Sequence, residues 1–80
     1  LDVGAARAAA LHADEATRAR LEATLGEAYT AHGLPDRATP LLERALATQR
    51  RLGRDSETAA TLAALGEAHR LAGRVDKAEA

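Results

Sequence analysis

Two windows of the chain place apolar residues three and four positions apart. Leu34, Ala38, Leu41, Leu42, Ala45, Leu46 and Leu52 fall on one stripe and leave Arg37, Glu43, Arg44 and Arg50 off it, as expected of a helix with one buried face. Leu21, Leu25, Ala28 and Tyr29 form a second stripe, mirrored by Leu62, Leu65, Ala68 and His69. Gly33, Gly53 and Gly73 recur at intervals of twenty, each where a helix stop belongs. Asp14 and Asp55 occupy candidate N-cap positions, with Glu15 and Glu57 in the turns that follow, an arrangement the helix dipole favours. Pro35 suits the first turn of a helix, where its missing N–H costs nothing. The pattern predicts five helical segments, at 1–12, 14–32, 35–52, 56–72 and 75 onward. Connections this short set consecutive helices antiparallel. Pro40 lies about a turn inside the third segment and is expected to remove one backbone bond rather than divide the helix.

Composition sharpens this to an all-α class. Of the apolar residues 22 are Ala, 12 Leu, 2 Val and 1 Tyr, too few β-branched and aromatic residues to supply strands. Eighty residues make a small domain, one that buries only about 60% of its unfolded surface. A net charge of −1 with both signs interspersed argues against nucleic acid and anionic membrane as partners. Without cysteine there is no disulfide framework, thiolate site or Cys nucleophile. No apolar run approaches the length of a membrane span, and residues 1–13 do not resemble a signal peptide. The chain opens with Leu rather than Met, so it is expected to be a piece of a longer, cytoplasmic protein.

The second half of the chain repeats the first at an offset of forty. Residues 21–40 and 61–80 share Ala23/Ala63, Leu25/Leu65, Gly26/Gly66, Glu27/Glu67, Ala28/Ala68, Gly33/Gly73, Asp36/Asp76 and Ala38/Ala78. Gly26 and Gly66 are the informative pair, because a glycine inside a helix costs about 1 kcal/mol against Ala and calls for a packing reason. The expected reason is close approach of the next helix through small residues such as Ala38 or Ala45.

The run Leu25-Gly26-x-x-Tyr29, then Gly33, then Ala38-x-x-x-Leu42 and Ala45 resembles the tetratricopeptide repeat consensus in residue type and spacing. The second copy reads Leu65-Gly66-x-x-His69, Gly73 and Ala78. Glu22 and Leu62 replace the aromatic that opens the consensus, and His69 replaces the usual Tyr. The forty-residue period, with Pro40-Leu41-Leu42-Glu43-Arg44-Ala45-Leu46, is similar to the long-helix variety of kinesin light chains. The resemblance implies a right-handed α-solenoid fragment of antiparallel hairpins: residues 1–13 as the second helix of a preceding repeat, 14–53 as one repeat, and 54–80 as a second repeat truncated in its second helix. The whole stretch is also similar to the repeat region that follows the catalytic domain of bacterial serine/threonine kinases, and to arrays in bacterial transcription regulators.

Catalytic chemistry is not evident. His12, His32 and His69 are not at metal-ligand spacing, and Ser56 has no neighbouring base. His32 suits a helix C-terminus, His69 a half-buried aromatic slot, and Arg50, Arg51 and Arg54 a helix end and solvated turn. No enzyme activity, metal or cofactor is expected of these residues. What the resemblance implies is a scaffold that holds a protein or peptide in its concave groove, lined by Arg20, Ala23, Glu27, Thr30 and Ala31 and by Ala60, Ala63, Glu67, Arg70 and Leu71. Glu27 and Glu67, a repeat apart, are expected to receive spaced basic residues. The Lys and Asn set that clamps a C-terminal carboxylate in chaperone-binding relatives is absent from these positions. The alternatives are a spacer, or self-association through an uncovered Leu62, Leu65 and Ala68 stripe that a homo-oligomer would bury.

Overall fold

The computed structural model describes residues 3–79, with side chains described through residue 74. It is all helix apart from two turns: α1 (Val3–Ala31), α2 (Pro35–Arg51) and α3 (Asp55–Glu79). α1 and α2 form an antiparallel hairpin, and α3 returns alongside α1 while packing mainly on α2. The molecule measures 62 × 17 × 14 Å with a radius of gyration of 15.3 Å, longer than the roughly 12 Å of a compact domain of this length.

Both turns follow from glycine. Gly33 (φ 76°) and Gly53 (φ 69°) take the left-handed conformation, which other residues enter at a cost of about 1–2 kcal/mol. At the first, the Leu34 N–H donates to the Tyr29 carbonyl at 2.8 Å and the Gly33 N–H to that of Thr30 at 3.0 Å. At the second, the Arg54 N–H donates to the Gln49 carbonyl at 2.9 Å and the Gly53 N–H to that of Arg50 at 3.1 Å. This paired bonding is the Schellman stop, and it satisfies carbonyls the helix end would orphan. Pro35 then opens α2 at its first turn, and α2 runs unbroken through Pro40.

Two expected breaks do not occur. α1 continues through Asp14, so residues 3–13 extend it in line, all of them exposed, instead of forming a separate helix. The position equivalent to Gly53 is Ala13, which does not favour the left-handed turn. α3 likewise continues past Gly73, because Val75 stands where the first copy has Pro35 and nothing at that point forbids helix. Among the described residues there are therefore three helices where the pattern indicates five.

The core lies between α2 and its neighbours. Ala38, Leu42, Leu65 and Ala68 are its buried cluster, with Ala23, Tyr29, Leu46 and Ala64 packed against it. Gly26 is buried, and a Cβ built on it would sit 2.5 Å from Leu42 Cγ. The residue that needs the missing side chain is thus Leu42, not Ala38 or Ala45. Leu42 is fully buried, and a Leu so placed contributes about 1.5–3 kcal/mol. Gly66, by contrast, has open space around it and no close approach. Leu65 and Ala68, expected to remain partly uncovered, are buried, while Leu62 stays 43% exposed. Leu25, expected in the core, is 52% exposed and Leu21 61%. His69 is exposed rather than half-buried. Ala78 lies outside the described side chains.

Candidate interaction groove

α1 and α3 run side by side over the helical turns that contain Arg20–Ala31 and Glu57–Leu71, and a shallow groove lies between them. It has two adjoining depressions that share Glu27. The larger, about 480 Å³, is walled by Glu27, Thr30 and Ala31 of α1 with Gly33, and by Ala64, Glu67, Arg70, Leu71 and Arg74 of α3. The smaller, about 190 Å³, is bounded by Arg20, Ala23, Thr24 and Glu27 of α1, by Glu57, Ala60 and Thr61 of α3, and by Gln49 of α2. Of the residues expected to line the groove from the sequence, Ala63 alone lies in neither depression.

The electrostatics differ from the expected pair of free carboxylates. Arg70 donates through Nε to Glu67 Oε2 at 3.0 Å and through its terminal nitrogen to Glu67 Oε1. That hydrogen bonding, reinforced by the guanidinium charge, holds the Glu67 carboxyl below the usual carboxylate range. Glu67 is therefore already paired within its own helix. Glu27 makes no ion pair or side-chain hydrogen bond among the described residues. The Thr30 hydroxyl donates back to the Gly26 carbonyl at 2.9 Å, so Thr30 offers the groove an acceptor and a methyl group.

The smaller depression contains what sequence reasoning missed. Gln49 and Thr61 are both buried, and the Thr61 hydroxyl donates to Gln49 Oε1 at 2.6 Å. Glu57 reaches toward Arg20, with Oε1 3.8 Å from the guanidinium Nε. Its other oxygen, Oε2, is buried and has no hydrogen-bond partner. A signal for Gln49 was present: it is a polar residue on the α2 stripe, at the register of Leu42 and Ala45. Glu57 offered none beyond its place in a first turn. Its approach to α1 depends on how α3 docks.

The tetratricopeptide repeat family profile matches residues 14–80. The chain belongs to this family. Tetratricopeptide repeats are non-catalytic modules for protein–protein interaction, and the hairpin, its glycine stops and the groove between equivalent helices are those of such a module. No curated protein and no solved structure gives a match to the chain. Among the described residues no cluster of His, Cys, Asp or Glu has the arrangement of a metal site. No helix there is long and apolar enough to cross a membrane.

Proposed function

We propose that this tetratricopeptide repeat chain binds an extended segment of a protein partner along the α1–α3 groove, as part of a longer cytoplasmic protein. The observation that supports this most directly is the continuity of the two depressions through Glu27. Together they offer a track with small residues along its walls and polar groups at intervals. The walls are helices held by a packed core, so binding costs little ordering of the module itself. The resemblance to kinase- and regulator-associated arrays makes a regulatory arm of a bacterial signalling protein the setting we favour for it.

Ala31 and Ala60 are exposed and line the larger and smaller depressions respectively. Substituting both, Ala31→Arg with Ala60→Arg, fills the groove while keeping strong helix formers. Affinity capture from a lysate is expected to lose its partners with this variant at unchanged helicity. Partners retained in full would move binding off the groove. The exposed Leu21 and Leu25 face favours a second reading, self-association. Light scattering that shows a dimer in the parent chain and a monomer after Leu25→Glu would establish it.

A further inference from the structure

The face of α1 turned away from α2 carries a regular pattern that one copy of the chain leaves unused. Leu11, Asp14, Arg18, Leu21, Leu25 and Ala28 alternate three and four positions apart and are all exposed, the spacing of a seam between two helices. The rest of the helix is engaged with α2: Ala16, Ala19 and Gly26 are buried, and Glu15 and Glu22 pair with Arg51 and Arg44. Asp14 and Arg18 enter no ion pair or side-chain hydrogen bond among the described residues. Residues 3–13 continue the helix past the end of α2, which is level with Glu15, and they too are exposed. Because α1 is continuous through Asp14, these residues do not return over its own Leu21 and Leu25. They can cover the same face of another copy.

We infer that two copies of this chain pair antiparallel through α1, each laying residues 3–13 over the Leu21–Ala28 face of the other. This rests on the self-association reading above and deepens it. Charge selects the orientation and register. The antiparallel register that sets Leu11 against the second copy's Leu21 also sets Asp14 against its Arg18, and symmetry forms each contact twice. Leu25 then lies over the aliphatic stem of Arg7. A parallel pair would oppose Asp14 to Asp14 and Arg18 to Arg18. Setting Leu21 against Leu25 would oppose Arg18 to Ala28 and carry residues 3–13 past the end of the second copy's α1. The repeat selects the same level independently. α2 lies on α3 with Gln49 level with Thr61, and moving both back by forty residues places Ala9 level with Leu21. That is within about 3 Å of the register chosen by charge. Residues 3–13 of one copy thus take on the other the level that α2 takes on α3. The contact is a strip about 36 Å long and 10 Å wide on each copy. It falls short of the roughly 1,200 Å² of a standard interface, so the dimer is weak and reversible.

Sedimentation equilibrium of the chain from 10 μM to 1 mM tests the pairing. The expected result is a monomer–dimer equilibrium with a dissociation constant of about 10–500 μM. Asp14→Arg and Arg18→Asp are each expected to weaken it about tenfold, since each reverses two pairs at once. The variant carrying both changes should return to within about threefold of the parent. Single changes without effect, or a combined variant no better than either, would overturn the antiparallel seam and leave self-association standing. A monomer throughout would overturn both. Growth beyond the dimer would overturn the pairing too, because a twofold pair is closed. Cross-linking reads the register in a chain that has no cysteine of its own. A mixture of the Leu11→Cys and Leu21→Cys variants is expected to give the mixed disulfide dimer under mild oxidation. Either variant alone should give little, because like positions lie about 15 Å apart along the pair. Leu21→Cys cross-linking to itself as readily as the mixture does would overturn the register.

Discussion

Residues 21–33 and 61–73 are two copies of one stretch of sequence, yet they meet opposite fates. In the second copy Thr61, Leu65 and Ala68 are buried against α2. Their equivalents Leu21, Leu25 and Ala28 are exposed, because among the described residues no helix packs on that side. The other face reverses the contrast. Gly26 is filled by Leu42 of α2, while Gly66 faces open space. Tyr29 packs on the core and His69 does not. Each copy therefore shows one of the two contacts that a repeat makes in an array. The pair together displays a complete repeat interface that neither copy has alone. Burial here is a property of position in the stack, not of residue type, as expected when each unit contacts only its neighbours.

The sharpest way to break that comparison is to place the same methyl group at both glycines. Alanine gains about 1 kcal/mol of helix propensity at either site. At Gly26 the new Cβ must also displace a buried Leu42 from 2.5 Å, an overpacking cost of about 1–3 kcal/mol. Gly66→Ala is expected to raise Tm, and Gly26→Ala to melt about 4–24 °C below it, taking 4–8 °C per kcal/mol for a chain of this size. In a Leu42→Ala background, with the obstructing atoms gone, Gly26→Ala should become stabilising. Equal shifts at the two glycines in thermal denaturation would abolish the distinction between filled and open faces.

The turns provide a second, smaller test. Gly33 and Gly53 hold positive φ, whereas Gly73, equivalent to Gly33, is passed through by α3. Gly33→Ala and Gly53→Ala are each expected to cost about 1 kcal/mol in left-handed strain. Gly73→Ala is expected to gain up to about 1 kcal/mol as an ordinary helical substitution. Denaturant midpoints at constant slope read these directly. A loss at Gly73 matching that at Gly33 would show that α3 also turns there.

These contrasts indicate what a pattern reading can and cannot find. The hairpin was legible because local features agreed: an apolar stripe on α2, a glycine at each true stop, and Pro35 beyond the first of them. The false stops at 13 and 73 failed on single residues that the same alignment contains, Ala13 where a glycine is needed and Val75 where Pro35 stands in the first copy. Asp14 has the chemistry of an N-cap, but a cap residue does not terminate the helix before it. Most of the groove was legible, since equivalent helices put equivalent residues on one face. The smaller depression was not. The meeting of Gln49 of α2, Thr61 and Glu57 of α3 and Arg20 of α1 requires three helices to converge, and no periodicity within one helix encodes that.

Acid titration tests the comparison through its smallest effect. Arg51 of α2 hydrogen-bonds the Glu15 carboxylate of α1 and holds that carboxyl below its usual range. Arg70 does the same to Glu67. A carboxyl whose folded pKa is depressed stabilises the fold above its unfolded value, about 4.3, and the contribution disappears as pH falls through the lower folded value. The two pairs differ in reach. Glu15 and Arg51 join different helices across 36 positions, so their bond exists only when α1 and α2 are docked. Glu67 and Arg70 are three residues apart on one helix, where the pair forms whenever that turn does. Arg51→Ala is therefore expected to remove part of the Tm loss seen between pH 5 and pH 3, by less than either glycine effect because exposed ion pairs are weak. Arg70→Ala should alter the acid limb less still. An Arg70→Ala change larger than that of Arg51→Ala would place the stabilising charge pair in the second copy, and would mean that α3 adds electrostatic support to the stack beyond its apolar contact with α2.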